Sequence, residues 1–369
     1  MTNNIQLLYA YRNRDISRVR LSLESLRLQT YENFEVIFVD YGSQDNYSKA
    51  VEIIVNEFEF AKYWYVGHPG LLWNKSKALN FGIKKAHSEF IIIADVDVLF
   101  TEHFLETAVK LSQSNSFSLF KIGYLSKEVT EQQQQHLNLN HIQTTHIGDT
   151  FGIGLFPKFA LEAIGGLDEF FHFYGSEDED LNSRILMSGT LRNNCDDLLL
   201  YHQWHERYPQ KRKESLQIQP RLTNVLRLNQ RHFLWNESQQ MLHPNPKTWG
   251  NCFTKSDLKT LEQPDVVIQL DNILAHLEHC FGEDLKKHPK KVVQVIISEA
   301  AYYNTLKYKI KQSLGKQTQL YMSMKAVNDL ILKNILFQYR DRNYNYSISD
   351  DLKQIRFTID FKTATHGKI

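Results

Sequence analysis

The feature that most constrains this chain is a short apolar run, Phe90–Ala94, that leads directly into two carboxylates, Asp95 and Asp97. An uninterrupted apolar run of this length is typical of a strand that is covered on both faces. Ligands of open parallel sheets bind at the carboxyl ends of the strands, and residues i and i+2 of an extended chain share a face. Two neighbouring carboxylates favour a divalent cation, because such cations prefer oxygen ligands. The pattern predicts either a metal-binding strand end or an ordinary strand end with solvated acids.

Strand-like and helix-like segments alternate through the first hundred residues. Runs of apolar and aromatic residues at 5–9, 34–39, 63–66 and 90–94 are separated by segments with helical spacing of their apolar residues. Such alternation is typical of βαβ units, which build a mostly parallel sheet flanked by helices. We therefore predict an α/β fold, Rossmann-like in its layers, with a smaller α/β or helical module towards the C-terminal end.

Composition excludes several classes of protein. The formal net charge is +1 and 23% of the residues are charged, which fits neither an acidic disordered chain nor a basic nucleic-acid-binding protein. The three cysteines, Cys195, Cys252 and Cys280, lie far apart and do not form a disulfide framework or a metal-binding spacing. The polar N-terminal residues and the lack of any apolar run near 18 residues predict a cytoplasmic protein without a signal peptide or a membrane span.

Further motifs follow in a fixed order along the chain. Towards the N-terminal end they are Leu23-Glu24-Ser25-Leu26, Gln29–Val36, Val39-Asp40 and Gly42–Asp45. Downstream they are Trp73–Lys77, Asp95-Val96-Asp97, Gly165–Glu169 and Tyr174–Asp178. The first set resembles the opening of family 2 glycosyltransferases, and the second resembles β-1,4-galactosyltransferases and bacterial chondroitin-type polymerases. The resemblance covers about residues 3–207.

This resemblance implies a GT-A fold, a nucleotide-sugar donor, a divalent metal (manganese or magnesium) and inversion at the sugar carbon. It makes Asp97 the direct metal ligand and places Asp95 at the ribose or in the metal shell. A histidine near the end of the domain completes such metal sites. His202 aligns best with that histidine, since it follows the apolar segment 198–201, and His205 is its competitor. Imidazole beside carboxylates suits manganese or a similar ion.

The motif around Tyr174–Asp178 is expected to bind the acceptor. An acceptor hydroxyl must lose its proton as it attacks, so a carboxylate base is required, and the resemblance assigns this role to Asp178. Glu177 would position the acceptor sugar, which Tyr174 and Gly175 would also contact. Acids in a first helical turn also complement the helix dipole, which accounts for one or two of the four acids at 177–180. Ser176 departs from the galactosyltransferase pattern, so the acceptor itself is not assigned.

The resemblance also implies a binding site for the nucleotide sugar. The expected members are Ala10, Tyr11, Arg12, Arg14, Asp40, Tyr41, Asn74, Lys75, Lys77, Asp95 and Val96. Lysines at a helix start can equally be solvated, but here Lys75 and Lys77 are expected to approach the donor phosphates. Where the family usually has two successive aspartates, this chain has Asp40-Tyr41. This difference weakens the expectation that the site prefers uracil. UDP is the expected nucleotide, with GDP as the alternative.

The expected division of the chain follows a boundary at Pro244, Pro246 and Gly250. Its parts are a glycosyltransferase domain at 1–245 (nucleotide-sugar half about 1–100, acceptor half about 101–207, basic helical extension 208–245) and an accessory domain at 246–369. The expected acceptor is a glycan or a lipid-linked oligosaccharide in bacterial surface polysaccharide synthesis. The protein would be cytoplasmic, either away from membranes or peripherally at the inner face of one, and no oligomeric state is predicted. The alternatives are a nucleotidyltransferase and a nucleotide- or glycan-binding protein without turnover.

Overall fold

The computed structural model describes residues 5–206, 221–316 and 318–362. The chain divides into two compact units. The first takes in Met1–Gly67, Trp73–Lys211 and Leu226–Cys252, and the second takes in His68–Leu72, Arg212–Val225 and Phe253–Ile369. The predicted basic extension at 208–245 lies partly outside the described residues. The roles assigned above to 1–245 and 246–369 stay predictions.

The first unit alternates strands and helices, as its sequence predicts. Its strands are β1 (Ile5–Tyr11), β2 (Phe34–Tyr41), β3 (Ala61–Val66), β4 (Phe90–Ala94), β5 (Val98–Phe100), β6 (Ser116–Tyr124), β7 (His146–Pro157) and β8 (Leu191–His202). Its helices are α1 (Ile16–Arg27), α2 (Asp45–Val55), α3 (Lys75–Lys85), α4 (Phe104–Leu111), α5 (Lys127–Gln135), α6 (Lys158–Ala163) and α7 (Glu177–Met187), and most of α8 (Val225–Ser238) also belongs to it.

The eight strands of the first unit form one sheet in the order β3-β2-β1-β4-β7-β6-β8-β5. The strands from β3 to β4 are parallel, as are β6 and β8, whereas the pairs β4–β7, β6–β7 and β5–β8 are antiparallel. Strand β4 is buried along its whole length, which explains its uninterrupted apolar run. The predicted α/β fold class is confirmed. The antiparallel strands β5 and β7 make the sheet mixed.

The acid pair that follows β4 lies in a turn. Strand β4 ends at Ala94, and β5 begins at Val98, whose N–H donates to the Asp95 carbonyl oxygen at 3.2 Å. The expectation that Asp95 and Asp97 lie on one face of an extended strand is therefore wrong. Because of the turn, the Asp95 and Asp97 carboxylates contact different residues.

Helix α7 is held by a buried polar network behind its acidic first turn. The Arg184 guanidinium donates from Nε to Asp180 Oδ2 at 2.7 Å and from Nη1 to the Gly166 carbonyl oxygen at 2.8 Å, and both charged side chains are about 1% exposed. Asn236 of α8 bridges Asp180 Oδ1 at 2.8 Å and Asp168 Oδ2 at 2.9 Å. A buried ion pair of this kind fixes the position of the helix, because neither charge can return to water.

We expect Arg184→Met to lower the free energy of unfolding by about 3–5 kcal/mol, because the buried Asp180 carboxylate loses its cation. The matched control is Arg20→Met. Arg20 also binds a carboxylate with two nitrogens, at 2.5 and 2.6 Å from Glu57, but both side chains are about two-fifths exposed. This control should lose less than about 1 kcal/mol. Denaturant titration of both variants checks the difference, and equal losses would contradict it.

The second unit is a four-stranded sheet with helices. Its strands are β9 (Val266–Asp271), β10 (Val292–Ser298), β11 (Tyr344–Ile348) and β12 (Gln354–Asp360), in the order β11-β12-β10-β9. Its helices are α9 (Lys255–Lys259), α10 (Leu274–His279), α11 (Leu306–Ser313) and α12 (Met324–Asn334), with shorter helical turns at Cys280–Asp284, Leu285–Lys287, Ala301–Asn304 and Ile335–Tyr339. Of the two predicted forms of this module, the α/β form is the one observed. Within the part of the chain that is described, no helix is both long and apolar enough to cross a membrane.

Candidate active site

Asp97, His202 and His205 form a cluster whose ligand atoms all lie within 4.8 Å of one another. Asp97 Oδ1 is 3.7 Å from His202 Nε2, and Asp97 Oδ2 is 3.3 Å from His205 Nε2. The cluster forms because β5 and β8 are paired, with Val98 opposite His202. The structure thus brings both histidines that the sequence left as competitors to the same carboxylate.

The orientation of the two imidazoles fits a bound cation. His202 Nδ1 donates to the Gln203 carbonyl oxygen at 2.7 Å, and His205 Nδ1 donates to the Glu206 carbonyl oxygen at 3.0 Å. In a neutral imidazole this leaves the lone pair of each Nε2 directed at Asp97. Burial lowers the pKa of His205, which favours its neutral form. Two lone pairs and a carboxylate that converge would be stabilised by a bound cation, and carbonyl-bound imidazoles are the usual arrangement of metal-binding histidines.

Arg18 also contacts this cluster, although no sequence motif assigns a role to it. Its Nη1 lies 3.3 Å from Asp97 Oδ2. Burial opposes ionisation of Asp97, but the positive charges around it, those of Arg14 and Arg18 and those of His202 and His205 when they are protonated, outweigh burial and lower the pKa of Asp97. A cation in the first turn of a helix is unfavourable with the helix dipole. Arg18 in the first turn of α1 was therefore a signal of a nearby anion.

The two candidate acids of α7, Glu177 and Asp178, occupy its first two positions. Glu177 Oε2 accepts from the Gly175 N–H at 3.0 Å, and Asp178 Oδ1 accepts from the Glu179 N–H at 3.0 Å. The backbone of β7 passes close by, since a Cβ placed on Gly152 would lie 3.2 Å from Asp178 Oδ2. Burial raises the pKa of both Glu177 and Asp178, against the opposing charge of Lys75. A carboxylate with a raised pKa is a better base while it stays ionised near neutral pH.

Lys75 joins the turn after β4 to the start of α7. Its Nζ lies 2.7 Å from Asp95 Oδ1 and 4.0 Å from Glu177 Oε1. Burial opposes its charge, but the carboxylates of Asp95 and Glu177 outweigh burial and raise the pKa of Lys75. The Asp95 carboxylate is thus in an ion pair and lies outside the cluster formed by Asp97. The roles predicted for Lys75 at the donor phosphates and for Asp95 at the ribose or metal stay predictions.

Six of the residues predicted to contact the nucleotide sugar lie at or just after the carboxyl ends of β1 and β2. Tyr11 is opposite Asp40 in the parallel pair, and Ala10 precedes it. Asp40 is fully buried and accepts from the Ser43 N–H at 3.0 Å and from the Tyr63 hydroxyl at 2.8 Å. Burial raises the pKa of Asp40. The carboxylate therefore already has two donors from this chain.

The residues next to Tyr11 and Asp40 are mostly buried as well. The Tyr11 hydroxyl donates to the Arg14 carbonyl oxygen at 2.9 Å, which closes the loop after β1. Arg12 is 5% exposed, whereas Arg14 is half-buried. Tyr41 is 4% exposed and packs edge-on against Trp73, with 6.2 Å between ring centroids. Trp73, which is half-buried, is therefore the more accessible aromatic ring of this pair.

Asn74 and Lys77, two further predicted donor contacts, are buried among side chains of the same unit. Asn74 Oδ1 accepts from the Lys77 N–H at 2.8 Å, so Asn74 caps helix α3. Its Nδ2 donates to the Glu169 carbonyl oxygen at 2.8 Å, and Lys77 Nζ is 3.4 Å from Glu169 Oε2. These contacts connect α3 to the loop at Gly165–Glu169. They give the two motifs a structural function, and donor binding by these residues stays a prediction.

The remaining predicted site residues differ in exposure. Tyr174 is 52% exposed, Gly175 has φ +101°, and Val96 is buried between Asp95 and Asp97. A cavity of about 360 Å³ beside the histidines is lined in part by Tyr124 and His146. Their rings are stacked with 4.3 Å between centroids. The sequence does not predict this aromatic pair, because β6 and β7 are ordinary strands when each is considered alone.

Two family models match parts of this chain. Residues 9–161 match the family model described as glycosyl transferase family 2. This part of the chain is therefore similar to family 2 glycosyltransferases. Residues 133–208 match the model described as the N-terminal domain of galactosyltransferase. The two matches confirm the resemblance to family 2 glycosyltransferases and to galactosyltransferases that the sequence motifs predict. With the α/β sheet, they confirm the GT-A fold class.

Two other proteins are similar to parts of this chain. An uncharacterized glycosyltransferase of Rickettsia felis is 28% identical over 137 residues. The match covers 37% of this chain and 20% of that protein. Glycosyltransferase GlyG of Streptococcus pneumoniae is 32% identical over 85 residues, 23% of this chain and 27% of that protein. The chain thus spans about a fifth to a quarter of the length of these relatives.

Two solved structures are also similar to this chain. One is a mannosyltransferase of Pyrobaculum calidifontis in complex with GDP-Man and Mn²⁺, with 19% identity and a TM-score of 0.41 over 55% of this chain and 58% of that one. The other is S. aureus TarS 1–349, with 17% identity and a TM-score of 0.41 over 54% of this chain and 60% of that one.

Proposed function

We propose that this chain transfers a sugar (galactose, N-acetylgalactosamine or a related hexose) from a UDP-sugar to a hydroxyl group of a glycan, with a divalent metal and with inversion. The observation that carries the proposal is the convergence of Asp97, His202 and His205, with both Nε2 atoms directed at the carboxylate. The family 2 match supports a nucleotide-sugar donor. A glycan or lipid-linked oligosaccharide of a bacterial surface polysaccharide is the proposed acceptor, at the inner face of a membrane.

The metal would be held by Asp97, His202 and His205, with manganese or magnesium as the proposed ion. When bound, it would neutralise the negative charge that develops on the diphosphate leaving group. Arg18, which is next to the same carboxylate, is placed to add a second positive charge.

Asp178 is the proposed base, and it would take the proton of the acceptor hydroxyl. Its raised pKa suits this role, since the carboxylate binds a proton more readily than an ordinary aspartate does. Glu177 would orient the acceptor through a hydrogen bond to a sugar hydroxyl. The exposed ring of Tyr174 would stack on a sugar face. Lys75 contacts both Asp95 and Glu177. It would therefore hold the acids that bind the acceptor in a fixed position relative to the residues that bind the donor.

Calorimetric titration with UDP, with and without manganese, tests the donor half of the proposal. We expect UDP to bind only with the metal and GDP to bind more weakly. Asp97→Ala should abolish the binding of UDP. The matched control, Asp196→Ala, removes an aspartate that is 81% exposed on the same strand as His202 and should leave the binding unchanged. Binding that does not need the metal would contradict the proposed site, and a preference for GDP would contradict the proposed donor.

A further inference from the structure

Helix α11 of the second unit exposes an apolar stripe. Leu306, Ile310 and Leu314 follow one another at intervals of four residues and are 76%, 56% and 63% exposed. Leu320, a few residues further on, is 58% exposed. Residues four apart lie on one face of a helix, so Leu306, Ile310 and Leu314 (the last at the C-cap) form a continuous apolar stripe. Single exposed leucines are ordinary, but a contiguous group of this kind marks an interaction site.

The stripe is not the face by which α11 packs on its own unit. That face carries Tyr308, which is 3% exposed and lies between Tyr302, Tyr303 and Tyr321, with ring centroids 5.2–5.8 Å apart. Thr305 caps the helix by accepting from the Tyr308 N–H at 3.2 Å. The helix is therefore already anchored by its aromatic side. The aliphatic side chains on its outer side are exposed and can contact a partner.

Lysines border the stripe on both sides. Successive residues of a helix are separated by about 100°, so Lys307 and Lys311 lie along one border and Lys309 along the other. Lys316 follows the helix. In the part of the chain that the structure describes, no carboxylate lies within 4.0 Å of the Lys307, Lys309 or Lys311 ammonium group. Residues 300–328 contain five lysines and neither aspartate nor glutamate. The surface therefore has positive charge around an apolar centre.

We propose that α11 docks the protein on an anionic lipid bilayer, with Leu306, Ile310 and Leu314 in the acyl–headgroup boundary and the lysines at the lipid phosphates. An apolar face bordered by lysines is the pattern of helices that lie in the plane of a membrane surface. The lysine stem can follow the apolar surface while its ammonium group stays in water. This inference rests on the membrane association in the proposed function and deepens it by naming the surface.

A second copy of the chain fits this surface poorly. Two such faces in contact would bring their lysine borders together, and like charges repel. A stable protein interface also buries about 800 Å² on each partner, which is more than four aliphatic side chains provide. A bilayer needs no complementary shape, and anionic headgroups supply the missing charge. The charge pattern therefore favours lipid over self-association.

Co-flotation of the full chain with vesicles tests the proposal. We expect binding to phosphatidylcholine vesicles that contain phosphatidylglycerol, weaker binding at high salt, and no binding to phosphatidylcholine alone. The triple variant Lys307→Gln, Lys309→Gln, Lys311→Gln should bind about a hundredfold more weakly, since each lysine contributes about fivefold. The triple variant Leu306→Ser, Ile310→Ser, Leu314→Ser should also lose about a hundredfold or more.

The control is Lys286→Gln, Lys290→Gln, Lys291→Gln, which removes the same charge from exposed lysines elsewhere in this unit. It should lose less than a few-fold. Equal losses in the control and the α11 variants, equal binding to both kinds of vesicle, or a dimer that the serine variant dissociates would each overturn the proposal. UDP titration without lipid reports on the proposed transferase site separately. A chain that binds UDP but no vesicles would therefore overturn only the membrane surface.

Discussion

Asp178→Asn should lower kcat by about two to four orders of magnitude and leave UDP binding almost unchanged. Asparagine keeps the size of the side chain and its hydrogen bond from the Glu179 N–H, but it cannot take a proton from the acceptor. General base catalysis contributes about 10²–10⁴ to the rate, which sets the expected loss. Single-turnover transfer to a glycan acceptor, with parallel calorimetry of UDP, measures both quantities.

The control for this variant is Glu179→Gln, one residue further along the same helical turn. Glu179 is exposed and accepts from the Ser176 hydroxyl at 2.9 Å, so its loss should change the rate by less than a few-fold. The pH profile gives a second readout. Burial raises the pKa of Asp178, so the rate should fall on the acid side at a higher pH than an ordinary aspartate would give. An unchanged rate in Asp178→Asn would contradict the assignment. A wild-type chain that binds UDP and never transfers sugar would instead support a binding protein.

Asp97→Asn should lower the affinity for manganese by at least about a hundredfold and abolish turnover. Asparagine is neutral, so the two histidines lose the carboxylate that they share in the cluster. Loss of a residue that merely orients a metal ligand already costs 10–100-fold in affinity, and loss of a ligand should cost more. Manganese titration followed by electron paramagnetic resonance measures the free ion directly.

His202→Ala and His205→Ala test the same cluster from its other side. Each should weaken manganese binding by about tenfold or more, because each removes one Nε2 from the cluster. His103→Ala is the control, since His103 is 65% exposed and lies outside the cluster. Full manganese affinity in Asp97→Asn would contradict the metal site. Loss in only one histidine variant would show which of the two is the ligand.

The sequence predicted what depends on local pattern. The strands β1, β2 and β4 follow from short apolar runs, and Asp97 and His202 follow from motifs of the family. The break after Ala94 was missed, because three residues of turn between apolar runs resemble one continuous strand. The joint approach of His202 and His205 to Asp97 depends on the pairing of Val98 with His202, about a hundred residues apart in the chain. No local pattern carries that information.

One motif can contain residues that hold the fold together as well as residues that bind a substrate. Asn74 and Lys77 belong to a recognised motif, yet both contact Glu169 inside the unit. A motif match cannot separate a residue that binds substrate from one that holds the loop in place. Conversely, a residue outside every motif can lie in the candidate site. Arg18 is an example, since it contacts Asp97.

The loop before α7 has a consequence for substrate binding. Phe173, Gly175 and Ser176 have φ values of +67°, +101° and +66°, and such a conformation costs a residue with a side chain about 1 kcal/mol or more. Asn229 of α8 holds this backbone by donating to the carbonyl oxygens of His172 and Tyr174, both at 3.1 Å. The conformational cost is thus met when the protein folds and not when the acceptor arrives. If this loop binds the acceptor as proposed, the acceptor meets a backbone that is already fixed, and its affinity is not reduced by an ordering penalty.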